Sequence, residues 1–309
     1  TNGGNLAMLA SDGIFLDAGS SIQTGGGAID LFNNVLLNVD SLNLDTDGMP
    51  QSEGNNGNFI GVHLNGASLQ STGGDIRLGG GGGTNTSATA PNYGVYIEEN
   101  SIIISAGGVL KIAGIGGTQG NAAGVKIFSG SSQVIIGSGT GNLSIAGRGG
   151  DDTGVTEQSG VLLFDNYQIQ SDSTTSITIT GFGGSGAGDD HGVAIFENGS
   201  ISQIFGNTTS TGIDIVGVGG PNGGDGIRLE GSVDSFSAGP PIILAGETQL
   251  SGVGLNITGN IGSTDFSGDI IFETDSITLT NASSIDTNGA VVFEPICDAT
   301  AINLGDVAA

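Results

Sequence analysis

The phrase GVAIFENGSIS at residue 192 is nearly repeated at 160 as GVLLFDNYQIQ and at 124 as GVKIFSGSSQV. A Gly-(Val/Ile)-x-(Leu/Ile) anchor begins at Gly61, Gly94, Gly124, Gly160, Gly192 and Gly226, with spacings of 33, 30, 36, 32 and 34 residues. A second anchor is an alternating run that ends in glycines. It reads DIRLGGGG at 75, VLKIAGIGG at 109, NLSIAGRGG at 142, SITITGFGG at 176 and GIDIVGVGG at 212. The two anchors keep step through five cycles, which is the mark of a repeat architecture.

Within a cycle the pattern is strand and turn. In residues 124–150, Val125 and Ile127 face one way and Lys126 the other, at the period of two that a strand imposes. The run from Gln133 to Ile136 is a second short strand, and Leu143-Ser144-Ile145 a third. Gly147, Gly149 and Gly150 permit the sharp corner that follows. No segment carries a helical period. Three strands and three corners per cycle describe an all-β chain coiled as a parallel β-helix, a β-solenoid rod. The preferred hand of parallel crossovers makes it right-handed. Equivalent inward residues then stack. Val125, Val161 and Val193 are expected to form an aliphatic column, and Phe128, Phe164 and Phe196 an aromatic one.

The flanks vary this pattern. Residues 1–60 and 239–309 alternate with a period nearer 20, which reads as the same coil with shorter loops around the body of five repeats at 61–238. The whole reads as one continuous solenoid and as a fragment of a longer chain.

Composition excludes several classes of function. Five Lys and Arg against 31 Asp and Glu leave a net charge of −26, so a phosphate backbone or an anionic membrane surface is not a partner. No run of about 18 apolar residues is present to insert in a bilayer. Gly accounts for 61 of 309 residues, but without the three-residue period of collagen. The single Cys297 cannot form an internal disulfide and is expected to be a small buried residue.

The segments GIFLDAGSSIQTGGGAIDL and ITLTNASSIDTNGAVVFEPICDATAINLGD resemble the repeats of filamentous-haemagglutinin-type bacterial exoproteins. The block GVYIEENSIIISAGGVLKIAGIGG is similar to the β-strand repeats of giant bacterial surface proteins. The resemblance implies a right-handed β-helical shaft, display outside the cell, and a role as an adhesin or extracellular filament without catalysis. Its implied partners are other copies of the chain, or glycans on a host or neighbouring cell. The family's secretion domain is not recognisable in this sequence.

Enzymes also use β-helices, and a polysaccharide lyase, hydrolase or tailspike-like depolymerase is the alternative reading. Such chemistry needs grouped carboxylates, often with Ca²⁺, beside a basic residue. Asp151-Asp152 and Asp189-Asp190 follow glycine corners on successive cycles and are the candidate Ca²⁺ ligands, since Ca²⁺ takes several hard oxygens. The opposing reading makes them solvated acidic loops, and no other cofactor is indicated. His63 and His191 are too few for a zinc site. Arg77, Lys111, Lys126 and Arg228 alternate with aliphatic residues and are expected to point outward. Tyr93 and Tyr96 read as core or rim packing, against a local contact patch as the alternative.

Overall fold

The computed structural model describes residues 3–33, 57, 59–84, 91–118, 120–130, 132–151, 157–172, 177–197, 203–206, 212–235, 239–249, 251–280 and 283–297. Among these residues there are 28 strands and no helix. The first coil consists of β1 (Leu6–Ala10), β2 (Ile14–Leu16) and β3 (Ser21–Thr24). Every later coil repeats this order, and the last strand, β28 (Val291–Glu294), begins a tenth coil. The three strands of a coil belong to three parallel sheets of ten, nine and nine strands, here called A, B and C. The chain is a parallel β-helix.

Stacking is in register. On sheet B, β11 (Val125–Phe128) lies between β8 (Val95–Glu98) and β14 (Val161–Phe164), and β14 lies beside β17 (Val193–Phe196). Val62, Val95, Val125, Val161, Val193 and Ile227 therefore form one inward column, all fully buried. Sheet A stacks Leu110, Leu143, Ile177, Ile213 and Ile242 in the same way. Burying a side chain of this size contributes about 1.5–3 kcal/mol. One apolar cluster runs from Ile14 to Phe272 without a break. The step per coil is 23 residues from Leu6 to Ile29, 33 from Leu110 to Leu143 and 21 from Ile270 to Val291, so loop length changes while the core section does not.

The aromatic column forms, but on the other side of the wall. Phe128, Phe164 and Phe196 stack at centroid separations of 5.7 and 5.6 Å. They are only half-buried and lie outside the coil. The reason is parity. Phe128 stands three positions after inward Val125, so the alternation that buries Ile127 turns the phenylalanine out.

Two corner devices hold the coils at their spacing. The anchor glycines sit where sheet A turns into sheet B, and each donates its N–H to the coil above, as Gly94 does to the Ala123 carbonyl at 3.2 Å. A Cβ added at Gly160 would stand 2.2 Å from the Phe182 nitrogen, so a side chain has no space there. At the turn from sheet C to sheet A runs a column of buried serines, Ser71, Ser105, Ser138 and Ser171, and buried Ser235 resumes it one coil past Gly206. Ser138 Oγ donates to Ser171 Oγ at 3.0 Å, and Ser105 Oγ donates to the Gly108 carbonyl at 2.6 Å. These hydroxyls satisfy corner backbone that the ladders leave over.

The terminal coils differ from the body. Among the described residues the large exposed apolar side chains are Met8, Leu9 and Phe15 in the first coil, and Leu279, Val291 and Ile296 in the last two. The expectation of a buried cysteine fails for the same reason. Cys297 is exposed, because it follows β28 and no further coil among the described residues covers it.

Candidate functional site

Basic and aromatic side chains collect on the outer face of sheet B. Four of the chain's seven Lys, Arg and His residues lie there: His63, Lys126, His191 and Arg228. Alternation places them, since His63, Lys126 and Arg228 each sit between two inward aliphatic residues. Arg77 and Lys111 occupy the equivalent outward positions on sheet A.

Toward the N-terminal end, His63 stacks on Tyr96 at 5.0 Å and meets Phe15 edge-on at 5.8 Å. Its Nε2 lies 2.7 Å from Glu98 Oε1. Lys126 Nζ donates to Tyr93 Oη at 2.9 Å and to Glu157 Oε1 at 3.0 Å. Burial works against the Lys126 ammonium, but Tyr93 and Glu157 outweigh it and hold its pKa above the usual lysine value. Tyr93 is almost fully buried, whereas Tyr96 is half-buried; burial raises the pKa of both phenols, which stay neutral. Tyr93 belongs to a buried cluster on the outer face with Tyr96 packed against it, beside a partly buried lysine.

Further along, β14, β17 and β20 (Ile227–Leu229) carry a groove of about 360 Å³. Its floor is apolar: Leu162, Phe164 and Phe196. Its rim is polar: Glu157, Ser159, Asp189, His191 and Arg228. Arg228 is fixed by two bonds to Glu230 Oε1, at 2.9 Å from Nε and 2.7 Å from Nη2, and its guanidinium lies 5.2 Å over the Phe196 ring. A charge-assisted pair of bonds to one carboxylate holds the head group still.

His191 is the most constrained member. The residue is only 3% exposed. Its Nδ1 accepts the Asp225 N–H at 2.8 Å, so the ring proton sits on Nε2. Burial pushes its pKa below the usual histidine value and Arg228 adds to this, against the pull of Asp225 and Asp189. The ring is therefore neutral, and protonating Nδ1 would cost the bond from Asp225. Nε2 has no hydrogen-bond partner; the nearest charge pairing is Asp189 Oδ1 at 3.9 Å.

The candidate Ca²⁺ ligands are distributed as follows. Asp151 is exposed and accepts a bond from Ser185 Oγ at 3.4 Å. Asp152 lies outside the described residues. Asp189 and Asp190, adjacent in sequence, separate to opposite sides of the wall. Asp189 takes φ +46°, projects with its side chain 72% exposed, and stands 3.9 Å from Arg228 Nη1. Asp190 is buried in the corner, where Oδ1 accepts the Gln158 N–H at 3.2 Å. Burial pushes its pKa up to about 7, against the pull of nearby backbone N–H groups. Asn92 does the same corner work three coils earlier, accepting the Phe59 N–H at 3.1 Å. Asp190 is thus a corner residue by its bonding. Among the described residues no three His, Cys, Asp or Glu side chains are grouped to hold a metal ion.

The groove brings together residues that were considered separately in the sequence: Asp189, His191, Arg228 and two members of the phenylalanine column. It adds Glu157, Ser159 and Leu162, which the sequence reading did not single out. Outward parity marks Leu162 as an unusual apolar residue on the outer face, where it is buried; nothing local marks Glu157. Comparison with family models, with curated proteins and with solved structures returns no match for this chain.

Proposed function

We propose that this chain is the shaft of a secreted, cell-surface bacterial adhesin or extracellular filament, working by rigid display and end-to-end assembly. One observation carries the reading. The core passes unbroken through nine coils, and among the described residues the large exposed apolar side chains lie in the terminal coils. An uncovered terminal coil presents both apolar side chains and an unpaired strand edge, a template for another strand. The surface that fits it best is one more coil of the same kind, from the same protein or from the next copy. At roughly 4.8 Å per coil, nine coils make a rod about 45 Å long. The sequence resemblance to large repeat exoproteins points the same way.

Electron microscopy of the native cell-surface material, with this chain marked by antibody, tests the proposal. The expected image is a thin rod that continues past the label in both directions. A compact particle about 45 Å long, free at both ends, overturns it.

The sheet B groove favours a second reading, a polysaccharide-processing enzyme. It places the carboxylates Glu157 and Asp189 beside a fixed arginine and a neutral histidine. Release of reducing ends or unsaturated products from a polysaccharide is its test.

A further inference from the structure

We propose that the sheet B groove binds a neutral oligosaccharide, with a pyranose hydroxyl oxygen accepting the Nε2–H of His191. The inference goes beyond the shaft reading and does not depend on the rod continuing at its ends. It rests first on the unpartnered donor. A buried N–H without an acceptor is costly, and this one lines a groove where a ligand can supply the acceptor. The bond from the Asp225 N–H leaves Nε2 able only to donate, so the ligand must bring a hydrogen-bond acceptor. An ammonium ligand has none.

The rest of the groove narrows the ligand class. Phe164 and Phe196, with centroids 5.6 Å apart, and Leu162 beside them form an apolar floor. The C–H face of a sugar ring is apolar, while its rim carries hydroxyls that both donate and accept. The groove rim offers that mixture: Asp189 and Glu157 accept, and His191 and Arg228 donate. Asp189 stands 3.9 Å from both Nε2 and Arg228 Nη1, and its exposed side chain can turn aside to admit a hydroxyl. A volume of about 360 Å³ falls at the small end of ligand pockets, which span roughly 300–1,000 Å³. The net charge of −26 and the acidic rim repel a polyuronate, which sets the preference for a neutral chain.

The chain has only two histidines, so the site can be read directly. The whole chain is labelled with ¹⁵N-histidine, and the two rings are assigned with His63→Asn. It is then titrated with cellohexaose, chitohexaose and mannohexaose at millimolar concentration, and with hexagalacturonate. At least one neutral hexasaccharide is expected to shift the His191 Nε2 resonance saturably while His63 stays in place. Phe196→Ala, which removes part of the floor, and Asp189→Ala, at an exposed position, should each weaken that binding about tenfold. The proposal is overturned if no neutral hexasaccharide moves His191, if hexagalacturonate binds equally well, or if both variants bind as the parent does. Shortened sugar in the same tube would uphold the site while overturning the shaft reading.

Discussion

Asp190 shows how one residue type takes two fates in this wall. Its neighbour Asp189 faces water, whereas Asp190 fills a corner that Asn92 fills elsewhere. The folded-state pKa of Asp190 is raised to about 7 from 3.8, so the folded chain holds this proton more tightly than the unfolded chain. Its contribution to stability is therefore full below about pH 4 and is lost as pH rises through about 7. Three units correspond to on the order of 4 kcal/mol. Asp190→Asn keeps the acceptor and cannot ionise. Urea melts at pH 4, 6 and 8 should show the variant more stable than the parent at pH 8, with the difference shrinking toward pH 4. A gap that does not change with pH would show that ionisation of Asp190 does not limit stability. Burial also raises the pKa of Asp30, Asp214 and Asp234, so the parent itself should lose stability as pH rises.

The element is the coil, and the glycine that opens each sheet B strand is one of its tight points. An added Cβ at Gly160 meets backbone of the next coil, 2.2 Å from the Phe182 nitrogen and 2.7 Å from the Gly192 carbonyl oxygen, and of its own coil, 2.8 Å from the Gly147 carbonyl oxygen. Backbone in a ladder cannot move aside without breaking its own bonds. Gly160→Ala should therefore cost about 3 kcal/mol, the upper end for overpacking. Gly4→Ala, where a Cβ meets nothing within 4 Å, should change stability little, and denaturant midpoints of the two variants check the contrast. This column was legible in the sequence because only glycine fits it, and so the letter repeats. The serine column was not legible. Serine is frequent throughout the turns of this chain, and five scattered copies gain meaning only when Ser138 and Ser171 are seen in contact.

At the scale of the whole molecule, charge opposes compaction. A formal charge of −26 on a 309-residue chain repels itself, and the few cations are mostly engaged locally, as Lys126 is with Glu157 and Arg228 with Glu230. The melting temperature should accordingly rise by several degrees as sodium chloride is raised from roughly 10 mM to 300 mM, as the Debye length falls from about 30 Å toward 6 Å. Calorimetry at a fixed pH reads this directly. A melting temperature that is flat or falls with salt would mean that local pairs outweigh the net charge.

The sequence by itself determined the coil: three strands per cycle, the glycine corner and the aliphatic columns, because each of these is written again in every repeat. The phenylalanine column was legible too, but its side of the wall follows only when parity is counted from Val125. The tertiary structure alone decided the groove. Leu162, Asp189 and Arg228 come from three cycles whose loops differ in length, and no spacing in the chain announces their meeting. Register between coils is set by the buried columns, and what those columns carry on their outer side is brought together as a consequence. The fold repeats because every coil must bury the same core; the site does not, because nothing in the core requires any two coils to wear the same outer face.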